Sequence, residues 1–381
     1  MPGRITRRQL GLAAAAAATA NAQSEPLKKY GGALEGFESK VDLPTFDPVA
    51  YTLERYRSAP LRMTFQAQDR KQADAWQKML RPKIAELVGG FPAKTPLHFQ
   101  SLEVKEFPAY RRERFIFQSR PGCGVLGYLI TPKASAPLAT VICIPGHGRG
   151  VDDIVGIDEY GRDRTEKPFY EFDFALQVAE HGMAAVAIEP MAFGCRRDAK
   201  TASKGLTTSA CQPTAGSALL LGETMVGWRV YDVMRTMDWI ETRPELNAKR
   251  VGLMGISGGG TITTFGAALE PRIKAAFISG YLNTFRDCIM SLSHCIDNYV
   301  PGILNYAEMY DVAGLIAPRP LIAESGERDP IFPVAAARES FARVKKVYEV
   351  YGAADRVEHH VHDGVHQFNG SRGIPFLANT L

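Results

Sequence analysis

Gly255-Ile256-Ser257-Gly258-Gly259 follows directly on the apolar run Val251-Gly252-Leu253-Met254. A short buried strand that ends in G-x-S-x-G and runs on into a small-residue helix makes a sharp turn. It lifts the serine hydroxyl clear of the sheet and aims the N–H of the next residue, here Gly258, at a developing oxyanion. The spacing nominates Ser257 as a nucleophile. Glycine-serine clusters are also ordinary loops, so the reading depends on what stands downstream.

A serine hydroxyl is a poor nucleophile at neutral pH. It needs a histidine to take its proton and a carboxylate to fix that histidine's tautomer. After such an elbow the chain order is serine, acid, histidine. Leu321-Ile322-Ala323-Glu324 reads as a strand running into Ser325-Gly326-Glu327-Arg328-Asp329-Pro330. Asp329 then sits just past a strand's carboxyl end, where open α/β sheets carry functional side chains. Glu324, inside the apolar run, and Glu327, earlier in the turn, rank below it. His366, in Asp363-Gly364-Val365-His366-Gln367-Phe368, follows the last expected strand, Val357 to Val361, and is the expected base. Asp363 is a second candidate acid, but its place in the same loop suits it to shaping the turn. His359, His360 and His362 lie on the strand itself. Alternation points His360 and His362 to one face and His359 to the other, so they do not converge as zinc ligands. Neither a metal nor a cofactor is expected.

Ile144-Pro145-Gly146-His147-Gly148-Arg149-Gly150 follows the first core strand, where this kind of site takes its second oxyanion N–H. The donor would be backbone, so the His147 ring need not act. A phosphate loop is disfavoured, because neither a Gly-Lys-Ser/Thr ending nor G-x-G-x-x-G stands at this turn.

The elements that must position these residues alternate from about residue 138 onward. Thr140 to Ile144, Ala184 to Ile188, Val251 to Met254, Ala275 to Ser279 and Leu321 to Glu324 read as buried parallel strands. Val226 to Thr242 reads as a helix with Val226, Val230, Val233, Met234, Met237 and Ile240 on one stripe, stopped by Pro244. Val334 to Tyr351 repeats the style. The expected fold class is α/β, a doubly wound, mostly parallel sheet. Ahead of it, Gln68 to Val88 reads as a helical arm, and residues 97–131 as an antiparallel hairpin turning at Arg120-Pro121-Gly122. The insertion from Ala192 to Gly222 lies between a strand end and the helix before the elbow, and is expected to form the substrate rim.

Trp228 to Arg235, Arg243-Pro244-Glu245-Leu246, Lys249-Arg250-Val251-Gly252 and the elbow together resemble the α/β-hydrolases, near the acetyl xylan esterase and dienelactone hydrolase branches. Arg319-Pro320-Leu321-Ile322 through Gly326-Glu327-Arg328-Asp329-Pro330-Ile331-Phe332-Pro333 is similar to the acid-loop signature of that group. Trp76 to Pro92 and the hairpin ending Tyr128-Leu129-Ile130-Thr131-Pro132 look like the leader of its exported bacterial members. The resemblance covers nearly all of the chain beyond its first segment. It implies an α/β-hydrolase core with Ser257 as nucleophile, Asp329 as acid, His366 as base, and the N–H groups of Gly258 and His147 as oxyanion donors. Pro145 stands where relatives commonly have a histidine. Dienelactone hydrolases attack with cysteine, so Ser257 points to an ester rather than that lactone.

The organisation expected is an export signal at 1–22, the arm and hairpin at 23–131, and the hydrolase core at 132–381. Arg7-Arg8 before the alanine-rich run Gly11 to Ala18 and Ala20-Asn21-Ala22 reads as a twin-arginine signal with a cleavage site. The run is too short to span a bilayer, so no membrane anchor is expected. Removing Arg4, Arg7 and Arg8 from the 45 basic residues leaves 42 against 41 acidic ones, which gives no reason to expect nucleic acid. Six cysteines are too few for a disulfide scaffold in 381 residues. Cys195 with Cys211, and Cys288 with Cys295, could pair in an oxidising compartment. The expected protein is a periplasmic or secreted serine ester hydrolase for short acyl esters, acetyl above all, on a small molecule or oligosaccharide, with the twin-arginine export machinery as its transport partner. The rivals are a serine peptidase of the prolyl-oligopeptidase type, for which no propeller repeat is found, and a catalytically silent hydrolase-fold binding protein.

Overall fold

The computed structural model describes residues 31–164, 166 and 170–381. The export signal expected at 1–22 lies outside them. The described residues up to Tyr51 form one unit and those from Thr52 to Leu381 another. In the first, the described chain makes two 3-10 turns, Glu38–Lys40 and Leu43–Phe46.

The second unit is built on a nine-stranded sheet. Its strands are β1 (Gln100–Glu106), β2 (Tyr110–Arg120), β3 (Cys123–Pro132), β4 (Leu138–Ile144), β5 (Ala184–Ile188), β6 (Leu246–Ile256), β7 (Ala275–Ser279), β8 (Leu321–Gly326) and β9 (Val357–His362). They lie in the order β1-β2-β3-β5-β4-β6-β7-β8-β9. β1 to β3 are antiparallel and β3 meets β5 antiparallel, while every pair from β5 to β9 is parallel. The hairpin β2–β3 thus continues the sheet, with its turn at Pro121-Gly122 and Gly122 at φ +73°.

The helices are α1 (Pro48–Arg57), α2 (Arg70–Leu87), α3 (Phe174–Glu180), α4 (Ala199–Ala202), α5 (Cys211–Leu220), α6 (Met225–Ile240), α7 (Gly258–Leu269), α8 (Met309–Gly314), α9 (Val334–Val350) and α10 (Gly373–Thr380). Asp69 caps α2 by accepting from Gln72 N at 2.8 Å. Period-two alternation divides each central strand between two cores. Leu138, Ile142 and Ile144 of β4 join Val186, Leu253 and the buried faces of α2, α6, α7 and α9. Val141 and Cys143 face the other way, onto Phe174 and Val178 of α3 and Leu377 of α10. A parallel sheet covered on both faces explains why its strands read as unbroken apolar runs.

Two features go beyond the sequence pattern. The charged side of α6 is not solvated: Arg229, Asp232 and Arg235 are all buried. The insertion folds over that side, and Arg196 reaches Asp232 at 2.7 Å. Neither pairing considered for the cysteines is formed, since all six are free thiols. Cys288 belongs to the main core, whereas Cys211 and Cys295 meet in a small separate cluster beside the insertion. Among the described residues, no helix is long and apolar enough to cross a membrane.

Candidate active site

Ser257 stands between the end of β6 and the first turn of α7, at φ +56° and ψ −117°. A β-carbon residue is costly there, and such strain persists only where the surroundings impose it. The surroundings are glycine. A β-carbon on Gly259 would lie 2.1 Å from the Ile144 carbonyl oxygen, and one on Gly255 2.6 Å from the same atom. Both glycines let the elbow press against the end of β4. Ser257 N donates to Ser279 O at 3.0 Å, which holds the turn to β7.

His366 Nδ1 lies 2.7 Å from Asp329 Oδ2. The other oxygen of Asp329 accepts from the backbone N–H groups of Ile331 and Phe332 at 2.9 and 3.0 Å. The imidazole is stacked on Phe332, with ring centroids 5.4 Å apart. Its Nε2 is buried and has no hydrogen-bond partner among the described residues. Ser257 and His366 line one open cavity of about 390 Å³, together with His147, Tyr170, His294 and Asn298.

The rival groups lie elsewhere. Glu324 is buried and accepts from Ser279 Oγ, Asn369 N and Gly370 N, each at 2.9 Å, so it ties the last loop to the sheet. Glu327 pairs with Arg338 at 2.7 Å and Asp363 with Arg328, both at the surface. His359 bonds Ser325 Oγ at 3.0 Å, and His360 faces Glu324 at 3.4 Å. Burial, and then the charges of Arg338 and His360, push the His359 pKa down to about 4.

The loop after β4 brings His147 to the cavity beside Gly258: a β-carbon on Gly258 would lie 3.2 Å from His147 Nδ1. Gly146 N is already taken, donating to Glu171 Oε1 at 2.8 Å. His147 and Gly258 both line the cavity with Ser257.

Sequence reasoning missed Tyr170. Its hydroxyl interacts with the Ser257 side chain, and it fills the space where Gly146 would carry a β-carbon. Burial, then the neighbouring Glu171 charge, holds the phenol well above its ordinary pKa, so it stays a proton donor. The backbone here is strained: Tyr170, Phe172 and Asp173 have φ of 91°, 53° and 51°. Side-chain bonds hold the segment, with Glu171 on Gly146 N and Asp173 Oδ1 on Gly156 N at 3.0 Å. Burial, and then the Asp153 charge, keep the Glu171 carboxyl well above the usual carboxylate range. No periodicity marks a functional residue on such a segment. The one available signal was its position beyond the carboxyl end of β4.

The rim also differs from expectation. Ser293, His294, Cys295 and Asn298, from the long connection between β7 and β8, line the cavity with Ile331 and Phe332. The insertion supports the site from behind, with Phe193 packed on the His147 ring at 4.6 Å.

A family model described as the Abhydrolase family matches residues 49–372. The chain belongs to that family. A Bacillus subtilis protein named "Putative hydrolase YtaP" is 25% identical over 285 residues, covering 72% of this chain and 89% of its own. Among solved structures, a Bacteroides fragilis protein titled a putative acetyl xylan esterase superposes with a TM-score of 0.70 at 20% identity, over 83% of this chain and 82% of its own. A glucuronoyl esterase from Solibacter usitatus gives a TM-score of 0.61 at 17% identity, over 84% of this chain and 96% of its own. These likenesses establish the α/β-hydrolase fold for this abhydrolase.

Proposed function

We propose that this abhydrolase is a serine carboxylic-ester hydrolase that works through an acyl-enzyme on short acyl esters, acetyl esters of carbohydrates above all. One observation carries the reading: a serine on a strained elbow shares a cavity with a histidine whose Nδ1 is locked by a buried carboxylate and whose Nε2 is unpartnered. The free nitrogen is available to take the serine's proton once Ser257 Oγ comes within hydrogen-bond reach of it.

Ser257 Oγ attacks the acyl carbonyl carbon while His366 Nε2 takes its proton. Asp329 holds the tautomer and stabilises the imidazolium. The negative charge on the carbonyl oxygen is met by the N–H groups of Gly258 and His147, and by the Tyr170 hydroxyl. His366 then protonates the leaving alkoxide, and the alcohol departs. Water enters, gives its proton to His366 and attacks the acyl-enzyme. Collapse releases the acid and returns the proton to Ser257.

The names of the structural neighbours support a carbohydrate ester, and the cavity wall suits one. Ser293 and the free ring nitrogen of His294 put a hydroxyl and an imidazole in the cavity lining, groups that can bond sugar hydroxyls. The test is a fluorogenic acetyl ester beside a peptide amide, followed by acetylated oligosaccharides and glucuronoyl esters. Hydrolysis of the amide alone would turn the reading to a peptidase, and hydrolysis of nothing, to a binding protein. We further propose that residues 1–22 direct export by the twin-arginine route to the periplasm or beyond. Replacing Arg7 and Arg8 by lysine should strand uncleaved, active enzyme in the cytoplasm, and undiminished export would refute the signal.

A further inference from the structure

Behind the cavity wall, four donor atoms from three separate segments converge. His147 comes from the loop after β4, Cys211 opens α5, and Cys295 and Asp297 flank Ile296 in the connection between β7 and β8. His147 Nε2, Cys211 Sγ, Cys295 Sγ and an Asp297 carboxylate oxygen all lie within 4.8 Å of one another. Three edges are finer still: Cys211 Sγ to His147 Nε2 is 3.6 Å, Cys211 Sγ to Asp297 Oδ2 3.2 Å, and His147 Nε2 to Asp297 Oδ2 3.3 Å. A tetrahedral zinc ion with Zn–S of about 2.3 Å and Zn–N or Zn–O of about 2.0–2.2 Å needs ligand-to-ligand edges of roughly 3.3–3.8 Å. The edges among His147, Cys211 and Asp297 already stand at about that spacing, and Cys295 Sγ lies within 4.8 Å of all three.

We propose that His147, Cys211, Cys295 and Asp297 bind a structural zinc ion in the wall of the active-site cavity. The donor set selects the metal: two sulfurs with an imidazole and a carboxylate in a tetrahedral array suit zinc, and do not suit magnesium or calcium. The charge also closes. Two thiolates and a carboxylate around Zn²⁺ leave one net negative charge, and the buried Arg229 guanidinium supplies the compensating positive one. Arg229 reaches Asp297 Oδ2 at 2.5 Å and Cys211 Sγ at 3.3 Å. It is itself fixed by Met191 O and by stacking on Phe193. Asn298 Nδ2 donates to the other Asp297 oxygen at 3.1 Å, so Oδ2, the oxygen beside Cys211 and His147, is the one that would meet the metal while keeping its bond from Arg229. Such outer partners are what orients metal ligands. Binding displaces the two thiol protons to solvent.

Four protein ligands leave no open position, so the ion is a brace and does not activate water. What it braces is the His147 loop, which lines the cavity, against α5 and the rim segment at 295–297. The competing chemistry is a Cys211–Cys295 disulfide. It would use two of the four donors and leave the convergence of His147 and Asp297 unexplained. The histidine-rich strand β9 is where the sequence drew attention to metals. The tetrad is invisible there because its members are scattered from residue 147 to residue 297.

The test measures metal directly in the full chain, purified under mild reductant without added chelator. Mass spectrometry of the elements should find about one zinc per chain, and Cys211→Ser or Cys295→Ser should lower it at least tenfold. If a variant fails to fold, the wild-type chain refolded with Co²⁺ supplies an independent readout. Thiolate-to-cobalt charge transfer in the near ultraviolet, with tetrahedral bands in the visible, is expected. Folded protein that is free of zinc and gives no thiolate–cobalt bands would overturn the proposal. So would native protein whose Cys211 and Cys295 resist alkylation until reduced. Metal content is read without any substrate, so a zinc-loaded chain that cleaves no ester would refute the esterase reading and leave this one standing.

Discussion

The Asp329 carboxylate is divided between two tasks: Oδ2 holds His366 Nδ1 at 2.7 Å, while Oδ1 is held by the N–H groups of Ile331 and Phe332. The carboxylate is therefore fixed by its own loop before it fixes the histidine. If the triad acts as one unit, Ser257→Ala and His366→Ala should each lower turnover of an acetyl ester by about 10⁶. Asp329→Asn should preserve the packing and favour the wrong tautomer, at a cost of about 10⁴. Asp363→Asn, at the surface, should stay within about twofold of wild type. A larger loss in Asp363→Asn than in Asp329→Asn would reassign the acid. A serine-directed phosphonate recovered on any residue but Ser257 would reassign the nucleophile.

Tyr170 provides a separate test of oxyanion stabilisation. Tyr170→Phe keeps the ring in place above Gly146 and removes only the hydroxyl. The loss should fall on kcat, by about 10²–10³, with KM nearly unchanged, as for other single oxyanion donors. Equal losses in KM would mean that the hydroxyl only orders the ground state. An unchanged kcat would remove Tyr170 from the reaction.

Gly259→Ala probes the elbow without removing a polar group. The added carbon would lie 2.1 Å from Ile144 O and 2.8 Å from Pro145 O, both backbone atoms that cannot swing away. Overpacking of this kind costs about 1–3 kcal/mol, and here it also displaces the oxyanion loop. Gly124→Ala on β3 meets nothing within 4 Å and serves as the control. Denaturant midpoints of the two variants should separate clearly. Coincident midpoints would show that the elbow yields more easily than its contacts imply.

Much of this architecture was legible because it is periodic or local. The runs Thr140 to Ile144 and Ala184 to Ile188 are strands buried on both faces, and a hydrophobic run reports that directly. Ser257, Asp329 and His366 each follow a strand end, so order along the chain was enough to nominate them. Tyr170, Cys295 and Asp297 were hidden for the opposite reason. They sit in irregular connections whose conformation is set by buried side-chain bonds, such as Glu171 to Gly146 N, between residues far apart in sequence. The burial of Arg229 was equally hidden, because the Phe193 ring and the Cys211 thiol that cover it come from the insertion, whose path no periodicity reports.

Glu189 links the fold to pH. Its buried carboxylate occupies the space left by Gly150 and Gly194, where β-carbons would come within 2.1 and 2.0 Å of its oxygens, and it accepts from Val151 N at 3.0 Å. Burial outweighs that bond and the Arg196 charge, and pushes the carboxyl up to about 8 from its ordinary 4.5. The folded chain then keeps a proton that the unfolded chain releases between those two values. Its contribution to stability is whole below about pH 4.5 and declines as pH rises to 8, by at most about 1.4 kcal/mol per pH unit for one proton. Glu308 and Asp311, buried and pushed up to about 7 and 6, slope the same way. Glu189→Gln keeps an acceptor for Val151 and cannot ionise. Unfolding free energy measured between pH 5 and 8 should therefore fall less steeply in the variant than in wild type, with the gap widening toward pH 8. Parallel curves would mean that Glu189 is already ionised in the folded protein at pH 5.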